Sequence, residues 1–291
     1  MSATIRPRRS VLYLPGSNAR ALAKARDLPA DALILDLEDA VAPDAKDTAR
    51  SQVAEAVAAG GFGQREVLVR VNSADTAWFA DDVAAVARAG ADGVLVPKIS
   101  TVADVAAVEA ALVAAGAPAE LAMWAMLETP RAVLDAATLV HASERLVGFV
   151  MGTNDLAKEL GSAHVPGRAP LLTALSWCLL AARDAGRIII DGVFNDLDDA
   201  DGFAAECRQA LEFGFDGKTV IHPRQLAPCN AAFTPTEAEV ARAREMIAAF
   251  EEAAAEGRGV VTVGGKLVEN LHVEQARKVL AVVEALSSRQ D

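Results

Sequence analysis

Short apolar runs recur along the chain and alternate with longer, alanine-rich segments. Each run spans four to six residues, mostly apolar, without alternation between apolar and polar positions. Such runs are typical of strands that are buried on both faces of a parallel sheet. We therefore predict eight strands: Ser10–Leu14, Ala32–Asp36, Glu66–Arg70, Gly93–Val96, Ala122–Leu127, Leu146–Met151, Ile188–Val193 and Lys218–Ile221.

The segments between these runs have apolar positions at the 3.6-residue spacing that predicts helices. Examples are Asp81–Ala89, Val102–Ala115 and Leu171–Ala185. Asp44 and Thr101 stand where helices are expected to begin, because short polar side chains accept hydrogen bonds from the first free N–H groups. Helices are expected to end near four glycines: Gly60, Gly90, Gly116 and Gly214.

Eight strand–helix repeats predict an α/β fold in which the strands close into a (β/α)8 TIM barrel, since parallel strands need crossover helices. Such a barrel takes about 250 residues, and the chain has 291. The competing fold is an open, doubly wound sheet. It usually carries a GxGxxG loop after its first strand, but that position here reads Leu14-Pro15-Gly16-Ser17. The barrel is therefore preferred.

The chain after residue 235 lies outside the eight repeats. It contains a helix near Thr236–Ala255, a β-like segment at Gly257–Asn270 with a turn at Gly264-Gly265, and a last helix near His272–Leu286. We predict a catalytic barrel over residues 1–235 and a C-terminal extension over residues 236–291. This extension must pack on its own barrel or on a neighbouring chain.

The charge balance limits the partners. Lys plus Arg number 28 and Asp plus Glu number 40, so the formal charge is −12. A protein that binds nucleic acid or an acidic membrane would show a basic face, and we expect neither partner. A local group of Arg and Lys can still bind an anionic substrate, because distant charges are screened.

No apolar run approaches the roughly 18 residues of a membrane span, and the basic N-terminus has no apolar segment behind it that would indicate a signal peptide. The three cysteines, Cys178, Cys207 and Cys229, form no CxxC motif. We therefore expect a cytoplasmic protein with reduced, buried thiols.

Polar and special residues gather where the predicted strands end, which is where barrel enzymes carry their chemistry. In chain order these residues are Pro15-Gly16, Asp36-Leu37-Glu38-Asp39, Arg70 with Asn72, Pro97-Lys98, Glu128-Thr129-Pro130, Gly152-Thr153-Asn154-Asp155, Asn195-Asp196 and His222-Pro223. Charges crowded into one opening need partners, a metal or a ligand to offset their desolvation.

Glu128 and Asp155 are the candidate metal ligands. Two carboxylates at adjacent strand ends can share one hard cation, with water and substrate oxygens completing its shell. No cluster of His or Cys favours a softer metal, so Mg2+ is preferred over zinc. The alternative is that each carboxylate caps the helix that follows it, and the spacing alone leaves both interpretations open.

Arg70 is the candidate anion-binding residue, because a guanidinium at a buried strand end offers a fixed pair of donors to a carboxylate or an oxyanion. The alternative is a salt bridge to the Asp36–Asp39 cluster, and the two roles are compatible if the cluster orients the arginine. Arg9, Arg20 and Lys24 near the first loop are candidates for phosphate contacts, although each is equally typical of a solvated surface charge. His222 is expected to be structural.

With these residues in place, the chain resembles the citrate lyase β-subunit-like family, within the HpcH/HpaI aldolase–citrate lyase superfamily, which includes malyl-CoA lyases and related acyl-CoA lyases. The motifs occur in order from residue 9 towards the C-terminus. They are Arg9-Ser10-Val11-Leu12-Tyr13-Leu14-Pro15-Gly16, Leu35-Asp36-Leu37-Glu38-Asp39-Ala40-Val41, Val69-Arg70-Val71-Asn72, Val96-Pro97-Lys98, Glu128-Thr129-Pro130, Gly152-Thr153-Asn154-Asp155-Leu156 and Gly214-Phe215-Asp216-Gly217-Lys218-Thr219-Val220-Ile221-His222-Pro223.

The resemblance implies a (β/α)8 barrel with Mg2+, or Mn2+ in its place, on Glu128 and Asp155. It implies a catalytic set of Arg70, Asp36, Glu38 and Glu269. It also implies a substrate- and CoA-binding set of Arg9, Arg20, Lys24, Arg70, Pro97 and Lys98. Family members are commonly trimers or hexamers in which the C-terminal extension of one subunit closes the site of its neighbour.

The extension departs from the family at one position. The family's Gly-Lys-Met-Ile-Asp pattern reads Gly265-Lys266-Leu267-Val268-Glu269 here. Glu269 keeps the carboxylate of the family's acid–base Asp but is longer by one methylene, roughly an ångström, in a role where proton transfer needs hydrogen-bond contact.

The resemblance implies a Mg2+-dependent carbon–carbon lyase that cleaves a 3-hydroxyacyl-CoA, such as malyl-CoA to acetyl-CoA and glyoxylate, or a citramalyl- or methylmalyl-CoA analogue. A malyl-CoA thioesterase or a malate-synthase-like enzyme would use the same site. A citrate lyase β-subunit-like component acting on an acyl-carrier protein is the third alternative.

Overall fold

The computed structural model describes residues 6–288. Residues 1–5, part of the N-terminal segment considered above for a signal peptide, lie outside this range. The described part of the chain divides into two compact units, Arg8–Ala232 and residues 233–288 together with residues 6 and 7. Within residues 6–288 no helix is both long enough and apolar enough to cross a membrane.

The first unit is a closed barrel of eight parallel strands in sequence order, so the (β/α)8 prediction is confirmed. Its strands are β1 (Ser10–Pro15), β2 (Ala32–Asp36), β3 (Glu66–Arg70), β4 (Gly93–Val96), β5 (Ala122–Leu127), β6 (Leu146–Met151), β7 (Ile188–Asp191) and β8 (Gly217–Val220). Five of them match the predicted bounds. Strand β7 ends two residues before the predicted Val193, because the chain leaves the sheet at Gly192.

Helices follow the strands. They are α1 (Ala19–Lys24), α2 (Lys46–Ala59), α3 (Phe79–Ala89), α4 (Val102–Ala114), α5 (Pro130–Leu139), α6 (Thr153–Leu160), α7 (Leu172–Asp184), α8 (Ala200–Phe213) and α9 (Leu226–Phe233). Thr101 caps α4 with a capping box, as predicted. Asp44 caps nothing, because it lies in a 3-10 turn before α2, and α2 begins without a side-chain cap.

Alternate residues of the strands fill the barrel interior. One buried cluster joins seven strands, since side chains at every second position point to the same face. Its members are Val11, Ala32, Ile34, Leu68, Leu95, Trp124, Met126, Val150 and Ile190. The intervening residues are buried as well, which explains why the strands have continuous apolar sequences rather than an alternating pattern.

The second unit is a pair of helices with a hairpin between them. Helix α10 (Glu237–Ala255) packs on α11 (Asn270–Ser287), and β9 (Val261–Val263) pairs antiparallel with β10 (Lys266–Val268). Gly264 and Gly265 form the turn, with φ of 55° and 76°, in the left-handed region that favours glycine. Val263, Val268 and Val273 form its core against α10.

Trp124 and Gly148 generate a prediction about the barrel core. A Cβ at Gly148 would lie 2.5 to 2.8 Å from the Trp124 ring, and overpacking of this kind costs roughly 1 to 3 kcal/mol. We expect Gly148→Ala to lower the free energy of unfolding by about this amount, measured by urea denaturation. Gly259 has open space around its Cβ position, and Gly259→Ala is the control. Equal free energies of unfolding for the two variants would contradict the close packing of Gly148 against Trp124.

Candidate active site

The carboxyl ends of the eight strands form the open end of the barrel, called the mouth below. A cavity of about 300 Å³ opens there. It is lined by residues from six strands and from the loops that follow: Tyr13, Asp36, Asp39, Ala40, Arg70, Met126, Met151, Gly152, Thr153, Asn154, Asp155, Val193, Asn195, Thr219 and Ile221. The mouth therefore combines an apolar floor with charged and amide side chains at its wall.

Arg70 is held at the mouth by acidic partners on the neighbouring strand. The register of β2 and β3 places Arg70 beside Asp36. Its Nε and Nη2 each donate to one oxygen of Asp36 at 2.7 Å, and Nη1 lies 3.0 Å from Glu38 Oε2. The guanidinium also stacks 4.9 Å from the centre of the Tyr13 ring. Arg70 is therefore oriented by the acidic cluster and still lines the cavity, so the salt bridge is compatible with the anion-binding role that the sequence predicts.

Asp36 is fully engaged as an acceptor. Besides Arg70, it accepts the backbone N–H groups of Glu38 at 2.9 Å and Ala40 at 3.0 Å. Burial opposes ionisation of Asp36, but the Arg70 guanidinium and these hydrogen bonds outweigh it and hold the pKa of Asp36 below its usual value. Asp36 stays a carboxylate that orients Arg70, which does not suit it to proton transfer.

Glu38 has the opposite electrostatic environment. Burial raises the pKa of Glu38 to about 7, and the neighbouring Asp39 and Asp36 add to that shift, while Arg70 and Lys98 oppose it. Lys98 Nζ lies 3.7 Å from Glu38 Oε1. A carboxyl group that titrates near neutrality can accept or release a proton at the pH of a cell.

Glu128 is a buried carboxylate that lacks a cationic partner within 4 Å among residues 6–288. Its Oε1 accepts the backbone N–H of Lys98 at 2.7 Å, and Lys98 adopts a left-handed φ of 56°. Burial raises the pKa of Glu128 to about 8, and the charges of Glu38 and Asp155 contribute. Gly152 makes room for the carboxylate, because a Cβ there would lie 2.3 Å from Glu128 Oε2.

The helix-capping alternative for Glu128 and Asp155 does not hold. Thr129 caps α5 through its side chain, and α6 follows Gly152 without a side-chain cap. Within residues 6–288 the Asp155 carboxylate accepts no hydrogen bond. Both carboxylates are therefore available, and their mutual repulsion across a polar cavity is the environment that a hard divalent cation relieves.

Any cation at this site takes few protein ligands. Among the described residues no group of three or more His, Cys, Asp and Glu side chains has the geometry to hold a metal. Mg2+ commonly keeps several waters and takes one or two carboxylates plus substrate oxygens. A pair of carboxylates at the edge of a cavity fits that pattern and does not fit a closed zinc site.

The structure separates some predicted substrate-binding residues from the mouth. Arg9 precedes β1 and pairs through Nε with Asp31 at 2.8 Å, at the end of the barrel opposite the mouth. Arg9 therefore does not belong to the site, because the length of β1 separates it from the mouth. Arg20 and Lys24 are exposed on α1, which follows β1 at the mouth. Pro97 is buried and Lys98 is half-exposed beside Glu38.

Glu269 belongs to the second unit. It is exposed at the start of α11, and its backbone N–H donates to Nδ1 of His272 at 3.0 Å. His222 is structural as expected, because its Nδ1 accepts the backbone N–H of Arg224 at 3.1 Å.

Three residues around the mouth were missed from the sequence. Lys46 is buried beneath the Asp36–Glu38 loop. Asp82 accepts two hydrogen bonds from Asn72, at 3.0 and 2.6 Å, and fixes it at the end of β3. Lys46 and Asp82 stand in helices whose polarity resembles that of a solvated surface, so the sequence carries no signal for their burial. Asn195 was noted only as a polar strand end, yet it exchanges amide hydrogen bonds with Asn154 across the cavity wall.

Known proteins resemble this chain in sequence and in fold. Residues 9–223 match the family described as HpcH/HpaI aldolase/citrate lyase. The chain belongs to this family. The predicted resemblance is therefore confirmed. The match covers every strand of the barrel.

Two relatives and one solved structure resemble the chain over nearly its whole length. A (3S)-malyl-CoA thioesterase of Cereibacter sphaeroides (strain KD131) is 52% identical and covers 97% of this chain and 96% of the relative. Citrate lyase subunit beta of Escherichia coli K12 is 39% identical, covering 98% and 96%. The crystal structure of CitE from Mycobacterium tuberculosis, in complex with magnesium, acetoacetate and coenzyme A, is 29% identical with a TM-score of 0.80, covering 96% and 99%.

The raised pKa of Glu128 predicts a pH dependence of stability in the absence of divalent cations. The folded protein retains the proton up to about pH 8, whereas the unfolded chain releases it near pH 4.5. The free energy of unfolding should therefore fall as pH rises between these values. Glu128→Gln removes this contribution, so with chelator present its melting temperature should exceed that of the wild type by an amount that grows from pH 5 to pH 8.

Thermal unfolding followed by circular dichroism measures this difference. Glu120→Gln, at an exposed position before β5, controls for the loss of one negative charge. A difference between Glu128→Gln and wild type that stays constant with pH would contradict the burial of an uncompensated carboxylate.

Proposed function

We propose that this protein is a thioesterase that hydrolyses the CoA ester of a 3-hydroxydicarboxylic acid, with (3S)-malyl-CoA as the first candidate. The observation that carries the proposal is the buried Arg70, which Asp36 and Glu38 hold at a cavity that Asp155 also lines, with the buried Glu128 near enough to Arg70 and Asp155 for their charges to act on it. The mouth offers a fixed positive charge for an oxyanion and two carboxylates for a cation. The 52% identical malyl-CoA thioesterase supports this reaction.

The sequence alone favoured carbon–carbon cleavage and kept hydrolysis as the alternative. The relatives support the alternative better, because the thioesterase is more similar to this chain than citrate lyase subunit beta is. A carbon–carbon lyase remains the second candidate. Arg70 would there stabilise the enolate of the departing acyl-CoA instead of the oxyanion of a thioester.

Glu128 and Asp155 are the proposed Mg2+ ligands, with Mn2+ as the other cation that the site would accept. CitE of M. tuberculosis has been solved with magnesium, acetoacetate and coenzyme A, which supports a magnesium site in this chain. A bound Mg2+ supplies Lewis acidity and a template for substrate oxygens. Within the chain, the Lys98 backbone N–H orients the Glu128 carboxylate.

The remaining roles follow from the environment of each group. Arg70 stabilises negative charge on the thioester oxygen, since its donors are fixed before the substrate binds. Asp36 orients Arg70 and stays ionised. Glu38, with a pKa near 7, accepts or releases a proton at the mouth.

Glu269 is the second proton-transfer carboxyl, supplied by a neighbouring subunit of a homotrimer or hexamer. Arg20, Lys24, Pro97 and Lys98 are the proposed contacts for the CoA part of the substrate.

Product analysis tests the reaction. We expect purified protein with Mg2+ and (3S)-malyl-CoA to yield free malate and CoA, identified by mass spectrometry, and to lose turnover in chelator. Glu128→Gln should lose roughly 100-fold or more in kcat with the fold retained. Acetyl-CoA and glyoxylate as the products would establish the lyase instead. Turnover only with an acyl-carrier protein would establish the third alternative, and activity without divalent cation would refute the metal ligands.

Complementation tests the subunit that supplies Glu269. Glu38→Gln and Glu269→Gln subunits should each lose most of their activity alone, while keeping a residual turnover that can be measured. Random mixed assemblies of equal amounts should recover about a quarter of the wild-type activity, because one in four sites then combines an intact barrel with an intact neighbouring extension. Co-expression with two affinity tags provides the mixture, and light scattering provides the subunit number. Mixed assemblies without recovered activity would place Glu269 in the site of its own chain, whereas full activity of Glu269→Gln alone would place it outside the reaction.

A further inference from the structure

Lys46 is a buried lysine that neither the family match nor the roles above assign. It is the first residue of α2 and only 6% of its surface is exposed. Its Nζ donates to the backbone carbonyl oxygens of Leu37 and Glu38, each at 2.7 Å. The ammonium also lies 5.3 Å from the centre of the Trp78 ring. All its close contacts are therefore carbonyl oxygens and an aromatic face.

The burial of this ammonium is costly. Lys46 makes no ion pair with any carboxylate of residues 6–288, so no single counter-charge offsets its desolvation. Burial lowers the pKa of Lys46, and the field of Asp36 and Glu38 opposes that shift. A methionine would fill the same space without this cost. The charge of Lys46 is therefore explained by the contacts it makes, which fix the backbone between β2 and α2.

The two carbonyls belong to the loop that carries the acidic partners of Arg70. The N–H of Leu37 donates to the carbonyl oxygen of Arg70 at 2.9 Å, and the N–H of Glu38 donates to Asp36. Lys46 holds the same two residues from their carbonyl side. With both sides fixed, the Glu38 backbone is held at a position from which its side chain reaches Arg70 Nη1 at 3.0 Å.

We propose that Lys46 is a positioning residue for the reaction at the mouth, which sets the Glu38 carboxyl against Arg70 by holding the Leu37 and Glu38 carbonyl oxygens. This inference rests on the proposed function, because it assigns Glu38 and Arg70 to the reacting groups. Lys46 contacts no part of the cavity lining except through this loop. Its loss acts on the orientation of Glu38 and leaves the binding surface for the acyl-CoA in place.

Arg65 provides a matched control. Its guanidinium also holds backbone carbonyl oxygens, those of Leu28 at 2.8 Å and Phe62 at 2.9 Å. It precedes β3 and therefore lies at the opposite end of the barrel. Arg65→Met removes a cation that holds two backbone carbonyl oxygens, as Lys46→Met does, but far from the mouth.

The experiment compares steady-state kinetics of the wild type, Lys46→Met, Lys46→Arg and Arg65→Met on the substrate that the wild type turns over. Lys46→Met should lower kcat by roughly 10- to 100-fold, the usual effect of a misplaced group, while KM changes by no more than about threefold. Lys46→Arg should recover part of the loss, since it keeps a donor to the carbonyls. Arg65→Met should lower the melting temperature and leave kcat unchanged.

A double-mutant cycle separates positioning from general stability. If Lys46 acts through Glu38, Lys46→Met should have little further effect on kcat in a Glu38→Gln background, because the group it positions is already lost. Hydrogen exchange of the amides of residues 37–41 should accelerate in Lys46→Met and not in Arg65→Met, whatever the substrate.

The outcomes distinguish the two proposals. A wild type without turnover on any acyl-CoA refutes the proposed function, and unchanged amide exchange in Lys46→Met then refutes the clamp independently. With an active wild type, unchanged kcat in Lys46→Met, or equal losses in the Glu38 and Glu38→Gln backgrounds, overturns the positioning role alone. An equal loss of kcat in Arg65→Met would also overturn the positioning role, because the loss in Lys46→Met would then reflect lower stability alone.

Discussion

A guanidinium buried at the open end of a barrel needs a partner for each of its donors, and the mouth of this protein is arranged around that requirement. Arg70 takes both oxygens of Asp36, one oxygen of Glu38 and the face of Tyr13. Asp36 in turn accepts two N–H groups of the loop that follows β2, and Lys46 holds that loop from its carbonyl side. The charge of one strand-end arginine thus determines the course of a neighbouring loop, the ionisation of Asp36 and the direction of Glu38.

The buried carboxylates fall into two groups because of how they are partnered. Asp36 lies at the mouth, and Asp191 lies outside the cavity lining. Each pairs with cationic side chains, which hold the pKa of the carboxylate below its usual range despite burial. Asp191 is matched by Lys218 at 2.9 Å and by Arg168 at 2.7 Å. Glu38 shares Arg70 with Asp36 and also lies near Asp39, and Glu128 has no cation within 4 Å among residues 6–288, so burial raises their pKa values to about 7 and about 8. Carboxyl groups whose environments separate their pKa values are suited to different tasks. Asp36 and Asp191 are suited to orienting their cationic partners, whereas Glu38 and Glu128 are suited to exchanging protons or binding a cation.

The proposed hydrolysis of a thioester and the alternative cleavage of a carbon–carbon bond would use the same mouth, because both reactions place negative charge on an oxygen that Arg70 could stabilise. They differ in which atom loses a proton, and hence in where the proton-accepting carboxyl lies. This shared requirement accounts for a family in which relatives of nearly equal length are named for different reactions.

The sequence by itself determined the barrel, the bounds of most strands and the set of residues at the mouth. It did so because strands buried on both faces read as continuous apolar runs, and because the polar residues after those runs meet at one end of a parallel barrel. Tertiary structure alone decided which of those residues act together. The register of β2 and β3 pairs Arg70 with Asp36, Thr129 takes the capping role that Glu128 would otherwise fill, and Arg9 faces Asp31 at the far end. Lys46 is the clearest case: its burial comes from the packing of α2 beneath a loop, and local periodicity carries no information about a contact of that kind.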